Sequence, residues 1–99
     1  MTVYVDNFRA PARVGRITGR WSHLVTDNPD LTELHEFAAR IGLQRRWFQT
    51  GKHAYRPHYD VTDTKRTAAI AAGAVPIDIT ELADVLARAR NAESGKDTA

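Results

Sequence analysis

The strongest constraint on the fold is a pair of matching helix starts. The segments Asp30–Glu33 and Asp78–Glu81 both place a side-chain acceptor before a helix and an acid at its third position, which is a capping-box pattern. Apolar residues then recur at helical spacing over Leu34–Ile41 and over Leu82–Ala89. A chain that begins helices in this way, with short apolar segments between them, is expected to alternate helices with strands.

Three strand-like segments complete this alternation. They are short and rich in β-branched or aromatic residues: Thr2–Asp6, Arg45–Gln49 and Ala74–Ile77. A further helix over residues 63–72 precedes the last of them. The β-α-β-α-β-α order predicts an α/β fold, a small three-layer sandwich with a three-stranded, mostly parallel sheet in the order 2-1-3. Pro76 cannot donate to a ladder, so the third strand is expected at an edge.

Length and composition predict one domain. We expect residues 1–90 to form a single α/β domain and residues 91–99, which lack apolar periodicity, to be a disordered tail. The absence of cysteine among the 99 residues excludes disulfides and thiolate zinc sites. No apolar run is long enough to span a membrane, and the start of the chain turns polar at Asp6. We therefore expect a soluble cytoplasmic protein without a membrane partner.

Two long segments without regular periodicity, Asn7–Asn28 and Thr50–Asp60, are predicted to be functional loops. The net charge is only +2, yet no acid occurs between Asn7 and Thr26 or between Leu43 and Tyr59. An anion-facing surface shared by both loops would explain this. The alternative is two solvated basic loops beside acidic helix starts. The basic residues of the loops include Arg9, Arg13, Arg16, Arg20, Lys52, His53 and Arg56.

Histidines and carboxylates in or beside these loops are the candidate catalytic residues. His58 and Asp60 are two positions apart, so an extended backbone directs both to one side, as in a His–carboxylate pair or two ligands of one ion. His23 could act as acid/base or ligand, and Asp6 as base or metal ligand. The competing interpretation is that Asp6 caps a turn, Asp60 caps a helix, His58 is solvated and His23 is a buried structural histidine.

The topology predicts where a ligand binds, since open parallel sheets bind ligands beyond the carboxyl ends of their strands. There we expect a phosphate-bearing ligand, a nucleotide or nucleic acid, because arginine grips phosphate with a planar fork. If the protein is an enzyme, phosphoester hydrolysis is the expected reaction. A divalent metal ion (zinc, manganese or iron) is left open as a cofactor. The predicted ligand-binding residues are Arg9, Arg13, Arg16, Arg20, Trp21, His35, Lys65 and Arg66.

A different class of function is also compatible with the sequence. Trp21 and Arg20 are residue types that dominate protein interfaces, so the first loop could belong to a non-enzymatic interaction module. Neither the Gly-x-x-x-x-Gly-Lys phosphate loop nor the Gly-x-Gly-x-x-Gly fingerprint is present. Both hypotheses, phosphate binding and protein interaction, are carried forward.

Several short segments together resemble one known family, the domain-of-unknown-function family DUF4031, whose members are short proteins from bacteria, notably actinobacteria, and their phages. The resemblance extends from Val3 to Ile77 and implies a bacterial or phage source, hence a host cytoplasm and a phage or host protein partner if the chain is phage-encoded. It implies no reaction. It does imply that His23, His35, His58 and Asp60 belong together, because they are motif positions. The segments that carry it are Val3–Asp6, Trp21–Leu24, Glu33–Ala38, His58–Val61 and Ala69–Val75.

Overall fold

The computed structural model describes residues 2–50 and 57–98, so that Lys52, His53 and Arg56 lie outside the described residues. Two short 3-10 helices, Arg45–Trp47 and Ile79–Glu81, join the main elements. The strands are β1 (Val3–Val5), β2 (Ala10–Val14), β3 (Ile17–Thr26), β4 (Tyr59–Thr62) and β5 (Val75–Pro76), and the α-helices are α1 (Thr32–Arg40), α2 (Asp63–Ala71) and α3 (Leu82–Thr98). The backbone of α3 thus extends into the segment that the sequence predicts to be a tail.

The described strands form one mixed sheet of five strands, which confirms the α/β class. The strand order is β2-β3-β1-β5, and β4 pairs with β3. The predicted three-stranded parallel sheet in the order 2-1-3 is wrong, because β1, β2 and β4 all run antiparallel to β3 and the parallel pairing in the described sheet is that of β1 with β5. β5 ends the strand order, so the edge position predicted from Pro76 is confirmed.

The extra strands come from the segment Asn7–Asn28, which the sequence predicts to be a loop. Val14 and Ile17 pair across a two-residue turn in which Gly15 has a φ of 61°. Glycine at the first position of a two-residue hairpin loop matches the twist of the flanking strands. β2 and β3 are therefore a hairpin, and Trp21-Ser22-His23 lies in a strand rather than in a loop.

Arg45–Gln49 is predicted as strand two, but its first three residues form a 3-10 helix. Of its two aromatic residues, Phe48 packs against the main core, whereas Trp47 is 40% exposed. The strand that does occupy this region of the sheet is β4, which begins at Tyr59 within the predicted second loop. His58-Tyr59-Asp60 therefore enters a strand.

The helix starts follow the predicted chemistry in part. The capping box predicted at Asp30–Glu33 is wrong, because Leu31 is the N-cap residue of α1 and the Asp30 N–H donates to Asn28. Among the described residues, the buried Oε1 of Glu33 has no hydrogen-bond partner. Asp30 Oδ1 accepts a hydrogen bond from the backbone N–H of Thr32 (2.9 Å), and Asp78 Oδ1 accepts one from Thr80 (2.9 Å). Thr62 caps α2 by accepting from a backbone N–H in its first turn (3.3 Å). These short-range acceptors satisfy donors that a helix leaves free at its N-terminus.

Hydrophobic clusters lie on both faces of the sheet. Leu24 belongs to the main core with residues of α1 and α2, whereas its neighbour Val25 packs with Val85 and Leu86 of α3. Successive residues of a strand point to opposite faces, so α3 covers the face to which Val25, and also His23, belong. His23 remains half-buried on that face. Among the described residues, no helix combines the length and apolar character needed to cross a membrane.

Candidate functional site: a histidine–carboxylate cluster

A bulge between β1 and β2 shapes one side of the candidate site. Both strands pair with β3, but the four residues Asp6–Arg9 face only Ser22 and His23. Arg9 has a φ of 49°, which non-glycine residues seldom adopt, and its N–H donates to Ser22 Oγ (3.1 Å). Bulges redirect side chains at functional positions, and the first residue of this one has a buried carboxylate.

That carboxylate is Asp6, whose exposed fraction is 0%. Its Oδ1 accepts hydrogen bonds from the backbone N–H groups of Phe8 (3.1 Å) and His23 (3.0 Å), and its Oδ2 lies 2.7 Å from His23 Nδ1. A carboxylate is an acceptor, so Nδ1 of His23 carries the proton in this pair. The contact thereby directs the lone pair of Nε2 away from Asp6.

The β3–β4 ladder brings two more side chains to His23. Asp60 is its direct cross-strand partner, and His58 Nε2 lies 3.3 Å from Asp60 Oδ1. The rings of His23 and His58 meet edge to face, with centroids 5.2 Å apart. One ligand atom from each of His23, His58 and Asp60 lies within 4.8 Å of the other two. We call these three residues the His–Asp cluster; together with Asp6, the structure brings all four predicted catalytic residues into one site.

The cluster keeps Asp60 ionised. Burial is the largest single influence on its pKa and raises it, but the hydrogen bond and charge of His58, the Gln49 side-chain amide and the charge of His23 together outweigh burial. The net result is a pKa below the usual value for aspartate. Two imidazoles therefore face a stable negative charge at neutral pH.

Sequence reasoning missed two residues that contact the cluster. Gln49 donates from Nε2 to Asp60 Oδ2, and its backbone pairs with His58 in an isolated bridge. Phe8 stacks on the His23 ring with centroids 5.4 Å apart, although half of Phe8 is exposed. The aromatic residue after Asp6 was visible in the sequence, but nothing local to Gln49 identifies it, because its contact depends on a pairing between separate segments.

The first group of predicted basic residues contacts the bulge and α2. Arg9 donates two hydrogen bonds to Asp63 (3.0 and 2.8 Å), which lower the pKa of that carboxyl. Arg66 Nε donates to the backbone carbonyl of Asp6 (2.8 Å), and Arg20 donates to that of Arg9 (3.4 Å). These three arginines join the bulge to the start of α2, and none of their contacts described here is with the His–Asp cluster.

The remaining predicted ligand-binding residues are dispersed. Arg13 and Arg16 are exposed near the end of the β2–β3 hairpin. Lys65 Nζ donates to a backbone carbonyl just after α1 (2.7 Å). His35 is paired through Nδ1 with the hydroxyl of Tyr59 (2.8 Å), which belongs to the main core. Because positions 59 and 60 of β4 point to opposite faces, His35 lies across the sheet from the cluster.

A cleft of about 500 Å³ adjoins the cluster between the hairpin and the Arg45–Trp47 helix. Asp60 and Gln49 belong to its wall, so the cleft and the cluster share a boundary. Trp21, which the sequence predicts to bind ligand, lines it with its indole held by a hydrogen bond to the Ala12 carbonyl (3.0 Å). The rest of the wall consists of Val14, Gly15, Ile17, Leu43, Arg46, Trp47, Thr62 and Lys65.

Comparison with known protein families finds a match over residues 3–89 to DUF4031, a protein family of unknown function. The chain belongs to this family. The resemblance noted in the sequence is thereby confirmed, and the DUF4031 match includes Asp6 as well as the His–Asp cluster. No curated protein and no solved structure matches the chain.

Proposed function

We propose that this DUF4031 protein binds a phosphate-bearing ligand, a nucleotide or a nucleic-acid segment, in the cleft and hydrolyses a phosphoester at the His–Asp cluster. The observation that carries the proposal is the shared wall: Asp60 belongs both to the cluster and to a cleft of about 500 Å³. That volume lies within the range of small-molecule sites, about 300–1,000 Å³.

The cleft wall supplies the groups that a nucleotide requires. Trp21 and Trp47 offer indole rings on which a base can stack, and Trp47 is 40% exposed. Arg46 offers a guanidinium fork for phosphate, and Lys65 retains two further N–H donors beside its bond to the backbone carbonyl.

The cluster supplies the groups that activate water. Asp6 engages Nδ1 of His23 and leaves the lone pair of Nε2 outside that contact, where it can take a proton from water or hold a cation that does so. In hydrolysis the water oxygen bonds to phosphorus, the ester P–O bond breaks, and the leaving oxygen receives a proton. The carboxylate of Asp60 stabilises positive charge on the neighbouring imidazoles as protons move.

Hydrolysis of bis(p-nitrophenyl) phosphate and binding of adenosine monophosphate test the two halves of the proposal. We expect His23→Ala to abolish turnover and Trp47→Ala with Arg46→Gln to weaken binding about tenfold or more, with an affinity that falls as salt rises. Arg40→Gln, which removes an arginine stacked on Phe37 outside the cleft, is the matched control. Binding that is equal in the Arg46 and Arg40 variants would remove the cleft from the proposal.

A second candidate function is a protein-interaction module for a phage or host partner. It is favoured by apolar exposure along the same cleft, where Val14 is 51% and Ile17 48% exposed beside Trp47. Exposed apolar residues that are contiguous mark interaction sites. Ile17→Ser should then abolish capture of a partner. Neither the wild type nor this variant should hydrolyse the diester. Turnover by the wild type would contradict a purely non-enzymatic role.

A further inference from the structure

The His–Asp cluster has the composition and spacing of a transition-metal site. His58 Nε2 and Asp60 Oδ1 are 3.3 Å apart. Two ligands of a tetrahedral ion with bonds of about 2.0–2.1 Å are separated by roughly 3.3 Å, so this pair already has the required spacing. All three ligand atoms lie within 4.8 Å of one another, so the widest pair needs a closure of at most about 1.5 Å, within reach of side-chain rotation.

Two neighbours orient these ligands from behind. The fully buried Asp6 accepts the Nδ1 proton of His23 at 2.7 Å, which is the carboxylate–histidine contact that accompanies metal-binding imidazoles. Gln49 donates to Asp60 Oδ2 and leaves Oδ1 toward His58. The two backbone N–H groups of the bulge use only Oδ1 of Asp6, so the contact of Oδ2 with His23 adds an orienting role to the structural one.

The cluster is also accessible. The side chains of His23, His58 and Asp60 are 24%, 22% and 27% exposed, and Asp60 borders the cleft. Three protein ligands with an open fourth position are typical of catalytic metal centres, whereas structural centres are closed by four protein ligands. Two imidazoles and one carboxylate suit zinc and similar divalent transition metals better than magnesium or calcium.

We propose that His23 Nε2, His58 and Asp60 bind one divalent transition-metal ion, of which Zn²⁺ is the test case, with Asp6 and Gln49 as positioning residues. The inference deepens the proposed function by naming the group that would activate water, but the binding itself does not require a phosphoester substrate.

The test is isothermal titration of the chelator-treated full chain with Zn²⁺ alone, and with Mg²⁺ as the comparison ion. We expect one Zn²⁺ per chain and little Mg²⁺ binding. His58→Ala and Asp60→Asn should each weaken Zn²⁺ binding at least tenfold. Asp6 is not one of the proposed ligands, but Asp6→Asn should still weaken Zn²⁺ binding by about 10–100-fold, because Nε2 of His23 would then carry the proton. His35→Gln, which removes an imidazole across the sheet, should leave the affinity unchanged.

Far-UV circular dichroism of each variant separates loss of the site from loss of the fold. Absence of Zn²⁺ binding to the wild type at millimolar concentration would overturn the inference, and so would equal affinity in the His58, Asp60 and His35 variants, which would indicate an adventitious ion only. Zn²⁺ binding without diester hydrolysis would keep the metal site and reject the proposed reaction. Hydrolysis that survives chelation, with no Zn²⁺ binding, would keep the proposed reaction and reject the metal site.

Discussion

The buried Asp6 provides the sharpest prediction about this fold, because one carboxylate joins the bulge to the cluster. In Asp6→Ala the N–H groups of Phe8 and His23 lose their acceptor, and His23 Nδ1 loses its partner. A buried donor left without a partner costs about 1–3 kcal/mol, and these three donors are part-buried, so each takes the low end of that range. Their sum gives a destabilisation of about 2–4 kcal/mol, a large part of the roughly 5–15 kcal/mol that stabilises a domain.

Asp6→Asn separates the stabilising role of this side chain from its effect on His23. The amide oxygen can still accept from both backbone N–H groups, so the expected loss is smaller, about 1–3 kcal/mol for one charge-assisted hydrogen bond. The amide nitrogen, however, is a donor that faces His23 Nδ1. His23 must then accept at Nδ1 and carry its proton on Nε2, which removes the lone pair from the cluster.

Urea denaturation followed by tryptophan fluorescence measures the free energies of unfolding, and ¹⁵N NMR of the imidazoles identifies the protonated nitrogen of His23. Asp63→Asn is the matched control, because it also removes a carboxylate with two hydrogen bonds, but an exposed one, and its effect should be clearly smaller than that of Asp6→Ala. Equal destabilisation by Asp6→Ala and Asp63→Asn would contradict the stabilising role of the buried carboxylate. An Nδ1 proton retained on His23 in Asp6→Asn would contradict its role in selecting the tautomer.

Three further predictions concern the turn after α1 and the pH dependence of stability. Gly42 has a φ of 86°, which strains any side chain there, so Gly42→Ala should cost about 1–2 kcal/mol in urea unfolding. A Cβ would also lie 2.8 Å from Lys65 Nζ, but the end of this flexible side chain can move away. A loss below about 0.5 kcal/mol would contradict the strain at this position. The pKa of Asp60 is lowered in the folded state, so the ionised side chain contributes to the free energy of unfolding above the unfolded-state pKa of about 4. This contribution is lost as pH falls through the folded-state pKa. Asp60→Asn should therefore flatten the dependence of stability on pH in that acid range. Burial, with the charge of Arg45, lowers the pKa of His35 in the folded state. Its neutral form therefore supports folding above about pH 6.5, and the free energy of unfolding falls as pH drops from there toward the folded-state pKa. An unchanged slope of stability against pH in His35→Gln would contradict this prediction.

Local chemistry explains why much of the helical framework was predictable. The acceptors Asp30, Thr62 and Asp78 satisfy donors within three residues, so a short stretch of sequence contains the whole interaction. The parallel pairing of the first and last strands was also predictable from the alternation of strands and helices. The edge position of β5 was predictable from Pro76. The hairpin was missed although Gly15 between Val14 and Ile17 is a recognisable turn signal.

The two-residue spacing of His58 and Asp60 implied a shared side for any extended backbone, although the sequence predicted a loop at these positions. The residue types that make acid/base or metal chemistry available were likewise evident from the sequence. The pairing of His23 with Asp60 and the inward turn of Asp6 toward His23 are visible only in the folded chain. Those contacts depend on the register between strands far apart in the chain and on a bulge that shifts it, and a single-residue slip would move every side chain to the other face.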